Sequence, residues 1–481
     1  MAKSKSKSKS KSNPFINEKT MAIIRAELIH MTDGYARVLH DTKAIYEDAV
    51  SFLVHVAVQH HEELYNMNQQ DSLTYMEQLV HKTKDNPDPK YPLFDVLFNR
   101  MPSYIRRAAI NAAVGHASSH ETRWDQYHAH RDPLVEKGIH YKKMEPAFTY
   151  TPKMCPTLYK NQSFVFQGRS IQIKVYMNHH WAWITVAISN KDMKCIQKAV
   201  SKGGTLLSPK LVYDYHKFYL EFPVQYPSAS WAEVPLEKQT VMGVDRGFNH
   251  GAVYSVIDCS GSVLGRGFDP FTSDMARIDH IINRIRKVQA QSGKGQSLAA
   301  LYTKLRGLKE NYVRQLARWI VNEAIKHGVY GIVLEHLESL RRKKHKGGMG
   351  ARLHHWITAK LRDYVKGMAF RAGIRVFIIN PWGTSKYAFD GSGEVIRGKE
   401  AGFSSKEWCL FANGKQYNCD LSASYNIGAR YFLRAYSKSI AAKLWSGLKA
   451  KVPGLSKRTN WVLATLRSLR AELGPEKACA A

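Results

Sequence analysis

Three carboxylates in the second half of the chain stand in short apolar settings: Asp245 in Val-Met-Gly-Val-Asp-Arg-Gly, Glu335 in Gly-Ile-Val-Leu-Glu-His-Leu, and Asp420 in Asn-Cys-Asp-Leu-Ser-Ala-Ser-Tyr-Asn-Ile-Gly. The first two end what read as buried strands, and the third opens a helix. An ionised carboxylate is costly in a core unless it is paired or holds a metal, so three converging in one fold point to a cation site. Hard oxygen ligands favour magnesium, and two such ions about 4 Å apart can hold both the attacking and the leaving oxygen of a phosphodiester. The pattern predicts a nuclease. Each piece alone has a plainer reading: Gly-x-Asp-x-Gly after a strand is commonly a turn, and an Asp at a helix start is commonly its cap. The ordered set of strand, strand and helix, each with its carboxylate, is what favours the site.

Charge agrees with that direction. The 481 residues hold 71 Lys and Arg against 40 Asp and Glu, a net charge of +31. Such an excess attracts polyanions, because each phosphate neutralised releases condensed counterions. Basic surfaces also bind membranes, yet no apolar run approaches the roughly 20 residues of a spanning helix. Nucleic acid is the expected partner, and no membrane is. The six cysteines, at 155, 195, 259, 409, 419 and 479, form no Cys-x-x-Cys pair, and the N-terminus lacks an apolar signal segment. Both features predict a reducing cytoplasm or nucleoid.

Along the chain, residues 3–12 alternate Lys and Ser and can bury nothing, so they predict a disordered tail, either tethering nucleic acid or simply solvated. Thr20 to Leu28 reads as one strand. Helical patterning follows from about Tyr35 to Tyr141, broken at Asp85-Asn86-Pro87-Asp88-Pro89 and capped again near Ser103. From 145 to about 235 the period changes, with strands at 163–166, 171–175, 183–186 and 217–222. A lone strand, a helical insertion and further strands predict a β-barrel interrupted by a helical lobe. The barrel is rich in aromatic and basic side chains, among them Tyr159, Lys160, Tyr176, His179, His180, Trp181, Trp183, Tyr213 and Tyr215. By strand alternation about half of these should form core, leaving the rest to stack bases. His55, His60, His61, His116, His120, His128 and His130 lack a carboxylate or Cys framework and read as surface and core histidines.

From Val241 the order is strand, turn, strand (252–257), strand (263–266), helices near 272–290 and 297–327, strand 330–335, helix 352–372 and strand 375–379, leading to Asp420. This mixed order is that of an RNase H-like sheet with Asp245 and Glu335 on adjacent strands. Many of the arginines and lysines of 272–327 fit either a nucleic-acid channel or a solvated face.

Gly243 to Asn249, Val333 to Leu337 and Asp420 to Ile427 resemble the three RuvC motifs of TnpB, the RNA-guided nuclease of insertion sequences, whose close relatives are the compact type V CRISPR effectors. Gln315 to Val321 and Leu353 to Thr384 are similar to that family's connecting helices. The resemblance covers residues 236–435; the N-terminal half matches in layout more than in motif. It implies a multidomain α/β fold: a wedge-like β-barrel (20–34 and 145–235), an inserted helical recognition lobe (35–144), and an RNase H-like (RuvC) nuclease domain (236–481) ending in a C-terminal tail (432–481). By the same resemblance, Asp245, Glu335 and Asp420 are catalytic and hold two magnesium ions, for which manganese could substitute. Guide RNA and double-stranded target DNA are the implied partners. Arg106 and Arg107 of the helical lobe become candidates for the guide–target duplex, or else an exposed pair beside tight helix packing. Arg341, Arg342, Lys343 and Lys344 become candidates for clamping the scissile strand, or a plain surface loop. Asn426 could orient the scissile phosphate or a ligand.

One departure from the family is clear. Its members usually carry a four-cysteine zinc ribbon between the second and third motifs. Here Thr384-Ser385-Lys386-Tyr387 leads to Ala388 and Gly391 where the first cysteines would stand, and Leu410 and Asn413 occupy the second pair. Cys409 and Cys419 cannot complete a tetrahedral site, so residues 383–419 are expected to form a degenerate zinc-ribbon insertion without zinc. Packing on Phe389, Trp408, Phe411 and Tyr417 would hold it together. The leading function is an RNA-guided DNA endonuclease. A guide-directed repressor with decayed cleavage and a structure-selective nuclease without RNA are the rivals.

Overall fold

The computed structural model describes residues 20–141, 143–146, 155–167, 170–214, 216–227, 233–246, 251–291, 298–336, 349–405 and 407–474. The Lys/Ser tail, Tyr215, Gly247 to Asn249 and the basic run Arg341, Arg342, Lys343 and Lys344 lie outside the described residues. The chain divides into two compact units, Met1–Pro227 and Ser228–Ala481. Among the described residues no helix is long and apolar enough to cross a membrane.

The first unit opens with β1 (Thr20–Ile29), followed by the helices α1 (Asp33–Gln59), α2 (His61–Tyr65), α3 (Gln69–Val80), α4 (Leu93–Leu97) and α5 (Ser103–Val135). The break between α3 and α4 contains the two prolines of 85–89, which cannot donate to a helical ladder. The residue before α5 is Pro102, which makes no side-chain capping bond, so Ser103 is the first helical residue rather than the cap. Strands resume with β2 (Phe164–Gln167), β3 (Ser170–Met177) and β4 (His180–Ile188), then helix α6 (Asn190–Ser201) and strands β5 (Thr205–Leu206), β6 (Lys210–Asp214) and β7 (Lys217–Tyr226). Helix α6 went unread because the strand patterns on either side dominate the stretch; its cap is Ser189, which accepts from Asp192 N at 3.1 Å.

β1 pairs antiparallel with β7 over eight residues and with β4 at its end, so the strand before the helices and the strands after them share one sheet. Its order is β2-β3-β4-β1-β7-β5, with β6 also on β7. The expected wedge-like β-barrel is thus a half-barrel whose end strands do not pair with each other among the described residues. One core serves sheet and helices, with Leu39, Tyr46 and Leu53 of α1 in the same buried cluster as Ile171, Ile173 and Phe222 of the strands. Among the described residues, none of the barrel aromatics named from the sequence is fully buried: Trp183 is exposed with the Lys174 ammonium 5.7 Å from its ring centroid, and Tyr159, Trp181 and Tyr213 lie half-buried against a core whose buried aromatics include Phe164 and Phe222.

The second unit begins with β8 (Thr240–Asp245), β9 (Val253–Asp258) and β10 (Val263–Phe268), then α7 (Thr272–Gln291), α8 (Ala299–Lys326), β11 (Gly331–Glu335), α9 (Met349–Arg371) and β12 (Arg375–Ile379). Its sheet runs β10-β9-β8-β11-β12, antiparallel across the first three strands and parallel from β8 to β11 to β12. Continuous burial of β8, β9 and β11 is what a sheet covered on both faces requires. One face packs on α7, α8 and α9. The other is covered by α10 (Cys419–Ser439) and α12 (Leu463–Leu473), with α11 (Ala442–Lys451) between them in the chain. Residues beyond 432, expected to be a tail, therefore form part of the core: Leu463, Leu466 and Leu469 are fully buried.

Between β12 and α10 lies a small sheet of β13 (Ile396–Arg397), β14 (Trp408–Leu410) and β15 (Gln416–Asn418). Phe389 packs on Phe411 and Tyr417 with ring centroids 5.7 and 4.9 Å apart, around buried Ala388, Cys409 and Cys419. Trp408 does not join this cluster; it is exposed, because β14 turns alternate residues outward.

Candidate active site

Asp245 is the last residue of β8, a central strand of the sheet, and Glu335 is the last residue of the neighbouring parallel strand β11. Strands that run in parallel deliver both side chains to the same end of the sheet. Asp420 is supplied by α10. The cap of that helix is Asn418, whose side chain accepts from Leu421 N at 2.9 Å, so the plain reading of Asp420 as the cap does not hold.

α10 can lie this close because β8 and the helix meet at glycines. A Cβ on Gly243 would stand 2.4 Å from the Ser424 carbonyl oxygen and 2.6 Å from the Gly428 nitrogen. Ser424 is one turn beyond Asp420, so the contact that lets helix and strand touch also sets the third carboxylate against the first.

Burial raises the Asp245 carboxyl well above the usual carboxylate range, and repulsion from Glu335 and Asp420 raises it further. The backbone N–H of Arg246 and the charge of Arg397 oppose the shift. Glu335 is also raised, chiefly by burial, against the hydroxyl of Thr384 and the charges of Arg430 and Arg246. Three carboxylates thus share a poorly solvated space with too little positive charge to settle all of them. As the side chains stand, no group of three or more His, Cys, Asp or Glu among the described residues is gathered closely enough to hold a metal. The donor chemistry fits a hard divalent cation, since each donor is a carboxylate oxygen and the excess negative charge is what such an ion would neutralise.

Three residues that sequence reasoning passed over complete the surroundings. Thr384 Oγ1 lies 2.5 Å from Glu335 Oε1 and 2.8 Å from the Pro381 carbonyl; it has one proton, and the charged acceptor holds the stronger claim. Arg430 is buried and donates to the carbonyls of Trp461, Asn380 and Thr459. Its guanidinium falls to about 10 through burial, with Glu335 acting in the other direction. Arg246, next to Asp245, is likewise lowered to about 10 by burial, while Asp245 and Glu335 favour its charge. The available signals were slight: Thr384 opened a segment read for its missing cysteines, and Arg430 stands one turn after Asn426.

Asn426 requires a correction. It is fully buried; its amide donates to the carbonyls of Thr384 and Tyr387, each at 2.9 Å, and its oxygen accepts from Leu463 N at 3.2 Å. Its polar atoms are thus engaged within the fold, where they hold the segment that carries Thr384. Arg106 also departs from expectation. It is 8 % exposed and donates through Nε and Nη2 to Glu77 Oε1 at 3.1 and 2.7 Å, tying α5 to α3. Arg107 is the more exposed of the two, 3.5 Å from Glu77 Oε2. His60 bonds the hydroxyls of Tyr75 and Tyr91, and His120 accepts from Trp124, both as packing residues.

Residues 22–177, from β1 through the helices into β3, match the model described as the Aq_aa04 family. No curated protein matches the chain. Among solved structures, the chain is similar to the cryo-EM structure of the Cas12f1-sgRNA-target DNA complex at 13% identity and a TM-score of 0.50, covering 82% of each chain. Weaker likenesses include the AacC2c1-sgRNA-extended non-target DNA ternary complex (10% identity, 82% of this chain and 69% of that one, TM-score 0.42). Another is CasPhi-2 (Cas12j) bound to crRNA and phosphorothioate-DNA (9% identity, 85% and 91%, TM-score 0.37). The first likeness bears on the fold alone, which is shared with the Cas12f1 of that complex.

Proposed function

We propose that this chain is an RNA-guided DNA endonuclease of the compact type V CRISPR and TnpB class, with a RuvC-like site formed by Asp245, Glu335 and Asp420. The single observation that carries the reading is Asp245, raised by burial and then by Glu335 and Asp420, which a second strand and a helix contribute beside it. A sheet of three antiparallel strands followed by two parallel ones, with helices on both faces, is the RNase H-like arrangement the motifs imply.

Asp245, Glu335 and Asp420 would hold two magnesium ions, or manganese in their place. When bound, these supply Lewis-acid polarisation of a phosphodiester and an activated water. The chain's own residues do the rest. Thr384 fixes one oxygen of Glu335 and so orients the other; Asn426 fixes Thr384; Arg430 and Arg246 oppose the rise that burial imposes on the glutamate. The insertion at 383–419 works without zinc in this reading. Asp390 accepts from Asn413 at 3.0 Å, joining by a hydrogen bond the two turns that a ribbon would join through a metal.

Guide RNA would occupy much of the cationic surface that a net charge of +31 creates, and its pairing would select a double-stranded DNA target. Arg107 and the run Arg341 to Lys344 are the proposed nucleic-acid contacts. Three carboxylates retained in a buried site argue against a repressor with decayed cleavage, since a binding protein has no physical reason to keep them.

RNA dependence tests the reading. Protein stripped of RNA should bind DNA weakly, nonspecifically and with strong salt dependence, and should cut no defined site. Adding one guide should restore magnesium-dependent cleavage of matching DNA only. Cutting at defined sites by RNA-free protein would transfer the case to a structure-selective nuclease.

A further inference from the structure

Apart from the carboxylates, the second unit carries a cavity of about 530 Å³ whose wall includes Trp382, Trp461, Arg430, Arg434, Lys438 and Arg458, with no Asp or Glu among its described lining residues. Trp382 is 70% exposed, while Trp461 is buried. Leaving an indole this open forgoes much of the free energy of burying it. The residue is not on a loose loop. Its backbone N–H donates to Asn380 Oδ1 at 2.9 Å, and Thr384 N donates to the Pro381 carbonyl at 3.4 Å, closing a turn around it.

That turn is bounded at both ends by Glu335. Ile379, just before it, is the register partner of Glu335, and Thr384, just after it, donates to the Glu335 carboxylate. Arg430 forms the back of the cavity, with its donors engaged on carbonyls. Arg434 and Lys438 follow on α10 at spacings of four, on the same helix face. Arg458 places its guanidinium 5.8 Å over the Trp461 ring.

Arg434, Lys438 and Arg458, with no carboxylate among the described lining residues, select a polyanion, and an exposed indole selects a flat π-face; an isolated phosphate would leave the tryptophan without a role, and an apolar ligand would leave the cations without one. An unpaired nucleotide satisfies both, and the volume lies within the range of about 300–1,000 Å³ usual for sites that enclose small groups. We infer that this cavity seats one unpaired nucleotide of a single-stranded nucleic acid, its base stacked on Trp382 and its flanking phosphates against Arg434, Lys438 and Arg458. The inference deepens the nuclease reading, which gives the seat its purpose of holding a strand beside the carboxylates.

The test reads binding alone, in chelator, on the full chain freed of RNA. The probes are a short fluorescent oligothymidylate, an abasic oligomer of equal length, and an oligothymidylate carrying a single 5-iododeoxyuridine for photo-crosslinking. Trp382→Ala should weaken oligothymidylate about tenfold, the weight of one stacked base, and leave the abasic oligomer unchanged; Trp382→Phe should restore most of the loss. The crosslink should map to the peptide that contains Trp382. Equal affinity of Trp382→Ala and wild type for oligothymidylate, or crosslinks confined to other peptides, would overturn the inference. Because no cleavage is read, a chain that seats the base here but never cuts DNA would sink the nuclease reading alone, and a cutting enzyme indifferent to Trp382 would sink this one alone.

Discussion

Gly243→Ala is the substitution that most sharply examines how the site is assembled. The new methyl carbon would lie 2.4 Å from the Ser424 oxygen and 2.6 Å from the Gly428 nitrogen, both backbone atoms of α10, whereas contact becomes ordinary only from 3.4 Å. Backbone cannot rotate aside as a side chain can, so helix and strand must separate by about 1 Å. Overpacking of this kind costs about 1–3 kcal/mol. The greater effect should fall on activity, because the displaced helix carries Asp420 and the strand carries Asp245. A misplacement of about 1 Å in a catalytic constellation lowers rate about a hundredfold. The assay pairs urea denaturation with single-turnover cleavage of a guide-matched duplex. Gly428→Ala serves as the comparison: its Cβ meets side-chain carbons of Ile257 at 2.9 and 3.0 Å, which can shift, and alanine gains about 1 kcal/mol of helix propensity. It should stay within about 1 kcal/mol of wild type. Gly243→Ala that cuts at the wild-type rate would refute the claim that this strand–helix contact sets the spacing of the carboxylates.

Thr384→Val removes the hydroxyl from Glu335 and should raise the magnesium concentration for half-maximal cleavage about 10- to 100-fold, with Thr384→Ser near wild type; an unchanged magnesium dependence would remove Thr384 from the site. Arg106→Ala should destabilise the first unit by about 2–3 kcal/mol by leaving Glu77 underpaired, while Arg107→Ala should change stability by less than about 0.5 kcal/mol, a contrast that denaturant titration would check. Elemental analysis should find no stoichiometric zinc, and zinc near one per chain that survives mild chelation would contradict the hydrogen-bonded reading of the 383–419 insertion.

What the sequence could convey follows from which signals are local. The apolar runs ending in Asp245 and Glu335 are visible because a strand buried on both faces leaves no polar alternation, and the structure places β8 and β11 on them. Strand β12 was equally clear over 375–379. The half-barrel was read as a β-barrel because whether distant edge strands pair is something no local pattern reports. Arg106 looked available because its partner Glu77 lies 29 residues away on another helix. Asn426 looked like a phosphate ligand because its position in the motif was visible, whereas the carbonyls of Thr384 and Tyr387 that occupy it belong to a turn some forty residues earlier. The residues after 432 looked like a tail since their apolar positions have meaning only against the face of the sheet that α10 leaves partly open.

The central claim is that Asp245, Glu335 and Asp420 act together as a metal-dependent cleavage site under RNA guidance. The most direct measurement compares wild type with Asp245→Ala, each loaded with the same guide, for binding and for magnesium-dependent cutting of one matching duplex. The account predicts near wild-type binding by both and cleavage by wild type alone. Comparable cleavage by Asp245→Ala would contradict it.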